Sequence, residues 1–259
     1  MRSAPEVVLR VAGLTHSYGD RVVLDDVSFD LEPGTVVAIV GPSGAGKTTL
    51  FRCITQLVTP AAGRVELSGR DLTALKGPEL RRARRDVGLV FQQYNLVRRL
   101  SAVDNVLAGR LADLPTWRVL ARRPGPSERA AAVACLDRVG LAGHARARAD
   151  RLSGGEQQRV AIARALAQRT RVILADEPVS SLDPSAAVKV LAALRAVASD
   201  DGIAVLCSLH QVGMVAGFAD RVLGLRDGRI VLDMAGAAFD ERRHGEVYGE
   251  RPHGAYPLP

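Results

Sequence analysis

The stretch Gly41-Pro42-Ser43-Gly44-Ala45-Gly46-Lys47-Thr48-Thr49 follows an almost wholly apolar segment, Thr35–Val40, and precedes a segment with helical character. Glycines at this spacing let backbone N–H groups converge on phosphate oxygens, and the lysine adds a positive charge. Strand, glycine-rich loop and helix in this order predict an α/β fold of the P-loop NTPase type. We expect Lys47 to reach the β- and γ-phosphates of ATP and Thr48 to bind Mg²⁺.

The segments on both sides of this loop complete the predicted core. Short alternating segments, Val7–Val11, Val22–Leu24 and Val27–Leu31, predict strands, and Gly63–Leu67 is expected to join them in an antiparallel β layer. Later in the chain, apolar strands alternate with helices, as in a parallel sheet. The predicted elements there are a helix from about residue 153 to 168, strand Val172–Ala175, helix Pro184–Ala198, strand Ile203–Ser208, a helix near Val212–Phe218 and a hairpin around Asp227-Gly228.

Residues 95–151 show helical periodicity and no strand pattern, which predicts an all-helical insertion. Ser127 is a candidate helix N-cap and Gly140 a candidate stop. We therefore expect an ATP-binding core over 1–94 and 152–233, a helical subdomain over 95–151, and a short C-terminal appendage with a loose end over 234–259.

A second pair of motifs supplies candidate catalytic groups. The predicted strand ending at Ala175 is followed by Asp176 and Glu177. A neighbouring parallel strand would place Asp176 near the magnesium, while Glu177 points elsewhere and can polarise the attacking water. The segment Leu152-Ser153-Gly154-Gly155-Glu156 is a glycine-rich helix start, which attracts anions. One chain can hold nucleotide at its loop and offer this helix start to another copy, so we predict a dimer.

Composition limits the remaining possibilities. The chain has 259 residues, 47% of them apolar and 24% charged, as in an ordinary globular protein. No apolar run approaches the ~20 residues of a membrane-spanning helix, and the N-terminus does not resemble a secretory signal, so we expect a cytoplasmic chain. The net charge is +7, but lysine occurs only at Lys47, Lys76 and Lys189. This arginine skew resembles a codon bias, and we expect no nucleic-acid partner.

In the order and spacing of these motifs the chain resembles the nucleotide-binding subunits of ABC transporters, from Leu14 to Asp233. The resemblance implies that Tyr18 stacks on adenine and that Gln92 senses magnesium and links the core to the helical insertion. It also implies that His210 contacts the γ-phosphate. Ser153, Gly154 and Gly155 match the family's signature segment, which caps the partner's γ-phosphate; Glu156 stands where glutamine is usual.

The same resemblance extends to partners. Asp183, in Ser181-Leu182-Asp183, fits the loop through which two catalytic sites communicate. The strings Phe91–Val97, Arg99–Leu107 and Ser208–Val212 are similar to those of phosphonate importers. This implies transmembrane permease subunits, an extracytoplasmic substrate-binding protein acting indirectly, and a peripheral position on the cytoplasmic face of the inner membrane. An ABC exporter or lipoprotein-extracting system, a soluble nucleic-acid-associated ATPase and a P-loop kinase remain alternatives.

Overall fold

A six-stranded and a four-stranded sheet organise the chain in the computed structural model, which describes residues 6–111, 124–210 and 212–249. The strands are β1 Leu9–Tyr18, β2 Arg21–Leu31, β3 Val36–Val40, β4 Ala62–Leu67, β5 Arg70–Asp71, β6 Val87–Phe91, β7 Val172–Asp176, β8 Ala204–Ser208, β9 Arg221–Arg226 and β10 Arg229–Ala235. The helices are α1 Lys47–Ile54, α2 Gly77–Ala83, α3 Ala102–Ala108, α4 Pro126–Arg138, α5 Gly154–Ala167, α6 Pro184–Asp201, α7 Val212–Val215 and α8 Glu241–Tyr248.

The larger sheet has the strand order β10-β9-β3-β8-β7-β6 and is parallel except for β10. Strand β3 is buried along its whole length, and its side chains alternate between two cores. Val37 and Ile39 face the core shared with the antiparallel sheet and α1, while Val36 and Ala38 face the helices on the other side. Because β3, β7 and β8 run in the same direction, the loops that follow them emerge at one edge of the sheet.

The smaller sheet is antiparallel and has the order β2-β1-β4-β5, which confirms the predicted layer. The two short strands predicted over residues 22–31 form one strand, β2. Asp26 interrupts the apolar alternation and takes a positive φ of 54°. Its backbone N–H donates to the hydroxyl of Thr15 on β1, so the strand pairing continues past this irregularity.

Helices α3, α4 and α5 pack together through one continuous core that contains Val106, Leu136 and Val160. The predicted N-cap at Ser127 is wrong, because the N-cap is Gly125 and α4 begins at Pro126, two residues earlier than predicted. Pro126 suits the first helical turn, where its missing N–H would have no intrahelical partner. The predicted stop is confirmed, since Gly140 follows the helix with φ 70°.

Two predictions concern the C-terminal part of the chain. The helix expected near Val212–Phe218 is a single turn, Val212–Val215, in a segment where glycines at 213 and 217 disfavour a longer helix. Within the appendage expected over 234–259, β10 continues to Ala235 and α8 packs against β9. Residues 250–259 lie outside the described part of the chain. No helix in the described ranges is long and apolar enough to cross a bilayer.

Candidate nucleotide site

The loop between β3 and α1 has the backbone shape that its glycines predict. Gly44 and Gly46 take positive φ values of 81° and 107°. At Gly46 a Cβ atom would lie 2.7 Å from the carbonyl oxygen of Val23, so only glycine fits there. Helix α1 begins directly after Gly46 without a side-chain cap, which leaves first-turn N–H groups available to an anion. The loop therefore has the conformation of a phosphate cradle.

Lys47 is held over this loop. It is only 6% exposed, and its Nζ donates to the carbonyl oxygens of Gly41 at 2.7 Å and Pro42 at 3.1 Å. The pKa of Lys47 is lowered because burial disfavours the ammonium, although the carboxylates of Glu177 and Asp176 partly offset this effect. A bound triphosphate would place negative charge beside this buried ammonium and stabilise its charged form.

Three residues from neighbouring strands and α1 form a connected polar group at the carboxyl edge of the sheet. Thr48 Oγ1 donates to Asp176 Oδ2 at 2.8 Å, and Ser208 Oγ donates to Asp176 Oδ1 at 2.9 Å. Ser208 also accepts the backbone N–H of Glu177 at 2.7 Å. In the described residues no three or more His, Cys, Asp and Glu side chains gather where they could hold a metal. One hydroxyl and one carboxylate fit Mg²⁺, which is commonly bound by one or two carboxylates plus substrate phosphates and waters.

Glu177 and His210 form the second polar pair at this edge. His210 Nε2 lies 2.5 Å from Glu177 Oε1, and both side chains are partly exposed. Glu177 takes a positive φ of 48°, which is uncommon for a residue that is not glycine. Asp176, by contrast, bonds to Thr48 and Ser208. The two adjacent carboxylates thus have different partners, as two different roles require.

A cleft of about 330 Å³ lies between the phosphate loop, Glu177 and residues of the antiparallel sheet. Tyr18, at the end of β1, is 48% exposed, and its ring contacts His16 edge-to-face at 4.7 Å between centroids. Arg21 adds a second positive charge that the sequence analysis did not select. The cleft is lined by Tyr18, Arg21, Val23, Ser43, Gly44, Gly46, Lys47, Thr48, Thr49 and Glu177.

Gln92 lies on an adjacent groove of about 390 Å³, whose lining also includes the other two magnesium candidates, Thr48 and Asp176. The chain beyond Gln92 is fixed to the helical region. Arg164 of α5 donates to the carbonyl oxygens of Asn95 at 2.6 Å and Tyr94 at 3.2 Å. The groove therefore lies beside the connection between Gln92 and the helix that begins with the signature segment.

The signature segment forms a well-capped helix start. The Ser153 side chain accepts the backbone N–H of Glu156, and the Glu156 carboxylate accepts the backbone N–H of Ser153 at 2.8 Å. The bond from the Ser153 backbone N–H, and a second one that Ser153 Oγ donates to the same carboxylate at 2.8 Å, lower the pKa of Glu156 against the opposing effect of burial. Ser153 is exposed, and no signature residue is among the described residues that line the cleft at Lys47.

Asp183 and the two signature glycines lie close together at the starts of α5 and α6. Asp183 caps α6, where it accepts from Ser185 Oγ at 2.7 Å and Ala186 N at 3.0 Å; these bonds lower its pKa. A Cβ on Gly155 would lie 2.9 Å from the Ala186 Cβ, so the two helix starts are in close contact. Like Ser153, Asp183 is exposed and does not line the cleft of its own chain.

Most of the predicted site residues thus lie together, whereas the signature residues and Asp183 lie apart from them. The loop residues, Tyr18, Asp176, Glu177 and His210 lie around the carboxyl edge of the sheet; of the loop, Ala45 is buried and Pro42 contributes a carbonyl. Sequence reasoning missed Ser208, which joins Asp176 to Glu177, and Tyr248, whose hydroxyl lies near His210. The strand-terminal position of Ser208 beside two other strand ends was a usable signal. For Tyr248 the sequence offered none.

A parallel sheet with this loop, carboxylate pair and histidine at its carboxyl edge defines a P-loop nucleotide-binding protein. The family model described as ABC transporter matches residues 24–180. The chain belongs to this family.

The similar proteins include transport subunits with names that mention phosphorus compounds. The chain is 49% identical to the hypophosphite import ATP-binding protein HtxD of Stutzerimonas stutzeri over 240 residues, which is 92% of this chain and 70% of that protein. It is 46% identical to the phosphonates import ATP-binding protein PhnC of Bradyrhizobium diazoefficiens, covering 93% of this chain and 90% of that protein.

The fold is also similar to that of solved ATP-binding cassettes. The cassette MJ0796, determined as a post-hydrolysis dimer bound to ADP and Pi, is 33% identical to this chain and has a TM-score of 0.76. The similarity covers 89% of this chain and 100% of that one. The chain is therefore an ATP-binding cassette of the same fold.

Proposed function

We propose that this chain is the ATP-hydrolysing subunit of an ABC importer for phosphonate or a related phosphorus oxyanion. The observation that carries the proposal is the separation of its two nucleotide-binding segments: the phosphate loop and Glu177 line one cleft, while Ser153 is exposed and does not line that cleft. Two copies arranged head to tail would place Ser153 of each against the nucleotide of the other. The import direction and the cargo class are supported by the names of the relatives.

Each residue then has a specific role in binding. The loop N–H groups and Lys47 bind the β- and γ-phosphates, and Tyr18 stacks on adenine. Thr48, Asp176 and Gln92 would hold Mg²⁺, directly or through water; the ion would neutralise charge on the phosphates. The signature residues Ser153–Glu156 of the second copy would close the pocket over the γ-phosphate, and Asp183 would link the two pockets.

Hydrolysis is assigned to Glu177 and His210. Glu177 accepts a proton from water as the water oxygen bonds to the γ-phosphorus. The bond from that phosphorus to the bridging oxygen breaks, and ADP leaves with the electron pair. His210 donates its Nε2–H, which in the structure is shared with Glu177, to the γ-phosphate oxygen. Loss of the γ-phosphate would let the two copies separate.

The coupling partner is proposed to be a pair of transmembrane permease subunits. The groove beside Gln92 would receive them, since it connects the magnesium candidates to the helical region. With such partners the chain would lie on the cytoplasmic face of the cell membrane, and a substrate-binding protein outside would act through the permease. Opening and closing of the dimer would then be transmitted through this groove.

Transport by the complete complex tests the proposal. The full chain is purified with the membrane proteins that bind it, reconstituted in liposomes in the orientation that exposes the cassette, and supplied with the substrate-binding protein on the opposite side. We expect ATP-dependent movement of labelled methylphosphonate or hypophosphite toward the cassette side, and none with Lys47→Ala. Movement in the other direction, or stimulation of hydrolysis by lipoprotein or DNA instead, would contradict the import assignment.

A further inference from the structure

The C-terminal helix α8 is fixed against the sheet that carries the phosphate loop. Asp240 caps its start by accepting the Arg243 N–H at 2.9 Å, and Arg226 of β9 donates to the Glu246 carbonyl oxygen at 2.7 Å. Val247 is completely buried, and a Cβ on Gly224 would lie 2.6 Å from its Cγ2. Since β9 pairs directly with β3, the last turn of α8 lies beside the strand that leads into the phosphate loop.

Tyr248, the last residue of α8, places its hydroxyl between two parts of the nucleotide site. The hydroxyl oxygen accepts the backbone N–H of Gly41 at 3.3 Å and lies 3.5 Å from His210 Nδ1. The ring is oriented by stacking on His244, with centroids 4.0 Å apart and an interplanar angle of 19°. The phenol is thus held by its own helix in contact with both the first loop residue and the histidine.

The hydrogen-bonding capacity of these groups fixes the direction of each bond. An ionised Glu177 carboxylate can only accept, so the proton between it and His210 belongs to His210 Nε2. In a neutral imidazole the other nitrogen, Nδ1, then carries only a lone pair and needs a donor. The Tyr248 O–H is such a donor, and its oxygen still accepts from Gly41. Each of the three bonds in the series Gly41–Tyr248–His210–Glu177 then joins one donor to one acceptor.

We infer that Tyr248 is a positioning residue, whose hydroxyl orients the His210 ring and acts together with the Glu177 carboxylate to hold the tautomer with the proton on Nε2. The inference rests on the proposed function, because the protonated Nε2 is the atom assigned to the γ-phosphate. A histidine with its proton on Nδ1 would present a lone pair to phosphate oxygens and repel them. The same hydroxyl contacts Gly41, so the orientation of His210 is linked to the loop that receives the phosphates.

Tyr248→Phe tests this inference, because it removes only the hydroxyl and keeps the ring that stacks on His244. The readout is the side-chain ¹H–¹⁵N NMR spectrum of the five histidines in the full, nucleotide-free chain, recorded well above the ordinary imidazole pKa of about 6.5. The His210→Ala spectrum identifies the His210 signals. We expect Nε2–H alone in the wild type and a measurable Nδ1–H population in Tyr248→Phe, where only the Glu177 carboxylate still favours Nε2–H. An unchanged tautomer in Tyr248→Phe would overturn the inference.

Kinetics provide the second readout. We expect Tyr248→Phe to lower kcat for ATP about three- to tenfold with little change in KM. His244→Phe, which keeps an aromatic ring beside Tyr248, is the matched control and should leave both the tautomer and kcat unchanged. In a His210→Ala background, Tyr248→Phe should have no additional effect on kcat; an additive loss would contradict a role through His210. Absence of ATP hydrolysis in the wild type would instead refute the proposed function, while the NMR result would still decide the tautomer.

Discussion

The phosphate-loop region and the signature region differ in where their polar groups find partners. Around the loop, Thr48 of α1 donates to Asp176 of β7 across the carboxyl edge of the sheet, and Lys47 donates to the carbonyl oxygens of Gly41 and Pro42. At the signature, Ser153 and Glu156 satisfy each other within one helix turn and line no cleft with the loop. The first region is organised by long-range folding of one chain. The second is a local structure whose outward face is available to another molecule.

The largest expected effect is a difference in ATP affinity between a variant in the phosphate-loop region and a variant in the signature region. Lys47→Ala should weaken ATP binding to the isolated chain roughly tenfold to a hundredfold, because a charged donor to the phosphates is lost. Ser153→Arg should leave this affinity unchanged, because Ser153 would contact only the nucleotide of a second copy. Calorimetric titration at protein concentrations that keep the chain monomeric measures both. Equal losses in the two variants would show that one chain uses both regions.

A smaller effect is expected at Tyr18, because this side chain should contribute to binding of the base and not of the phosphates. Tyr18→Ala should weaken ATP binding up to about tenfold, because an aromatic stacking contact is lost. Tripolyphosphate, which has no base, should bind the variant and the wild type equally, and Tyr18→Trp should retain ATP affinity. If the alanine variant lost tripolyphosphate affinity as well, Tyr18 would be shaping the loop and not binding adenine.

The smallest effect concerns the signature helix and its pH dependence. The folded-state pKa of Glu156 is lowered, so its carboxylate contributes stability above the ordinary glutamate pKa and loses this contribution as pH falls through the folded pKa. Chemical unfolding of the wild type and Glu156→Gln should therefore show a stability difference that favours the wild type at neutral pH and shrinks in acid. A difference independent of pH would indicate that the carboxylate charge does not contribute to the cap.

How well the sequence predicts these regions depends on how far apart along the chain the contacting residues lie. The loop, Asp176 and Glu177 were predictable because each follows a buried strand, and parallel strands bring their ends together. The signature cap was predictable because its residues are three apart on one helix. Ser208 and Tyr248 were harder, because their roles depend on which strands are neighbours and on where α8 returns to the sheet. The predicted N-cap at Ser127 was wrong for a local reason, because the helix already begins at Pro126 with Gly125 as its N-cap.

The central claim, that each pocket is assembled from the loop of one copy and the signature of another, is tested most directly by mixing two inactive variants. Lys47→Ala and Ser153→Arg are each expected to lose ATPase activity, since both pockets of either homodimer are defective. A dimer with one chain of each kind has one intact pocket, formed by Lys47 of one chain and Ser153 of the other. The mixture should recover up to about a quarter of wild-type activity if chains pair randomly and pockets act independently. A mixture no more active than the two variants measured separately, despite demonstrated mixed dimers, would contradict the account.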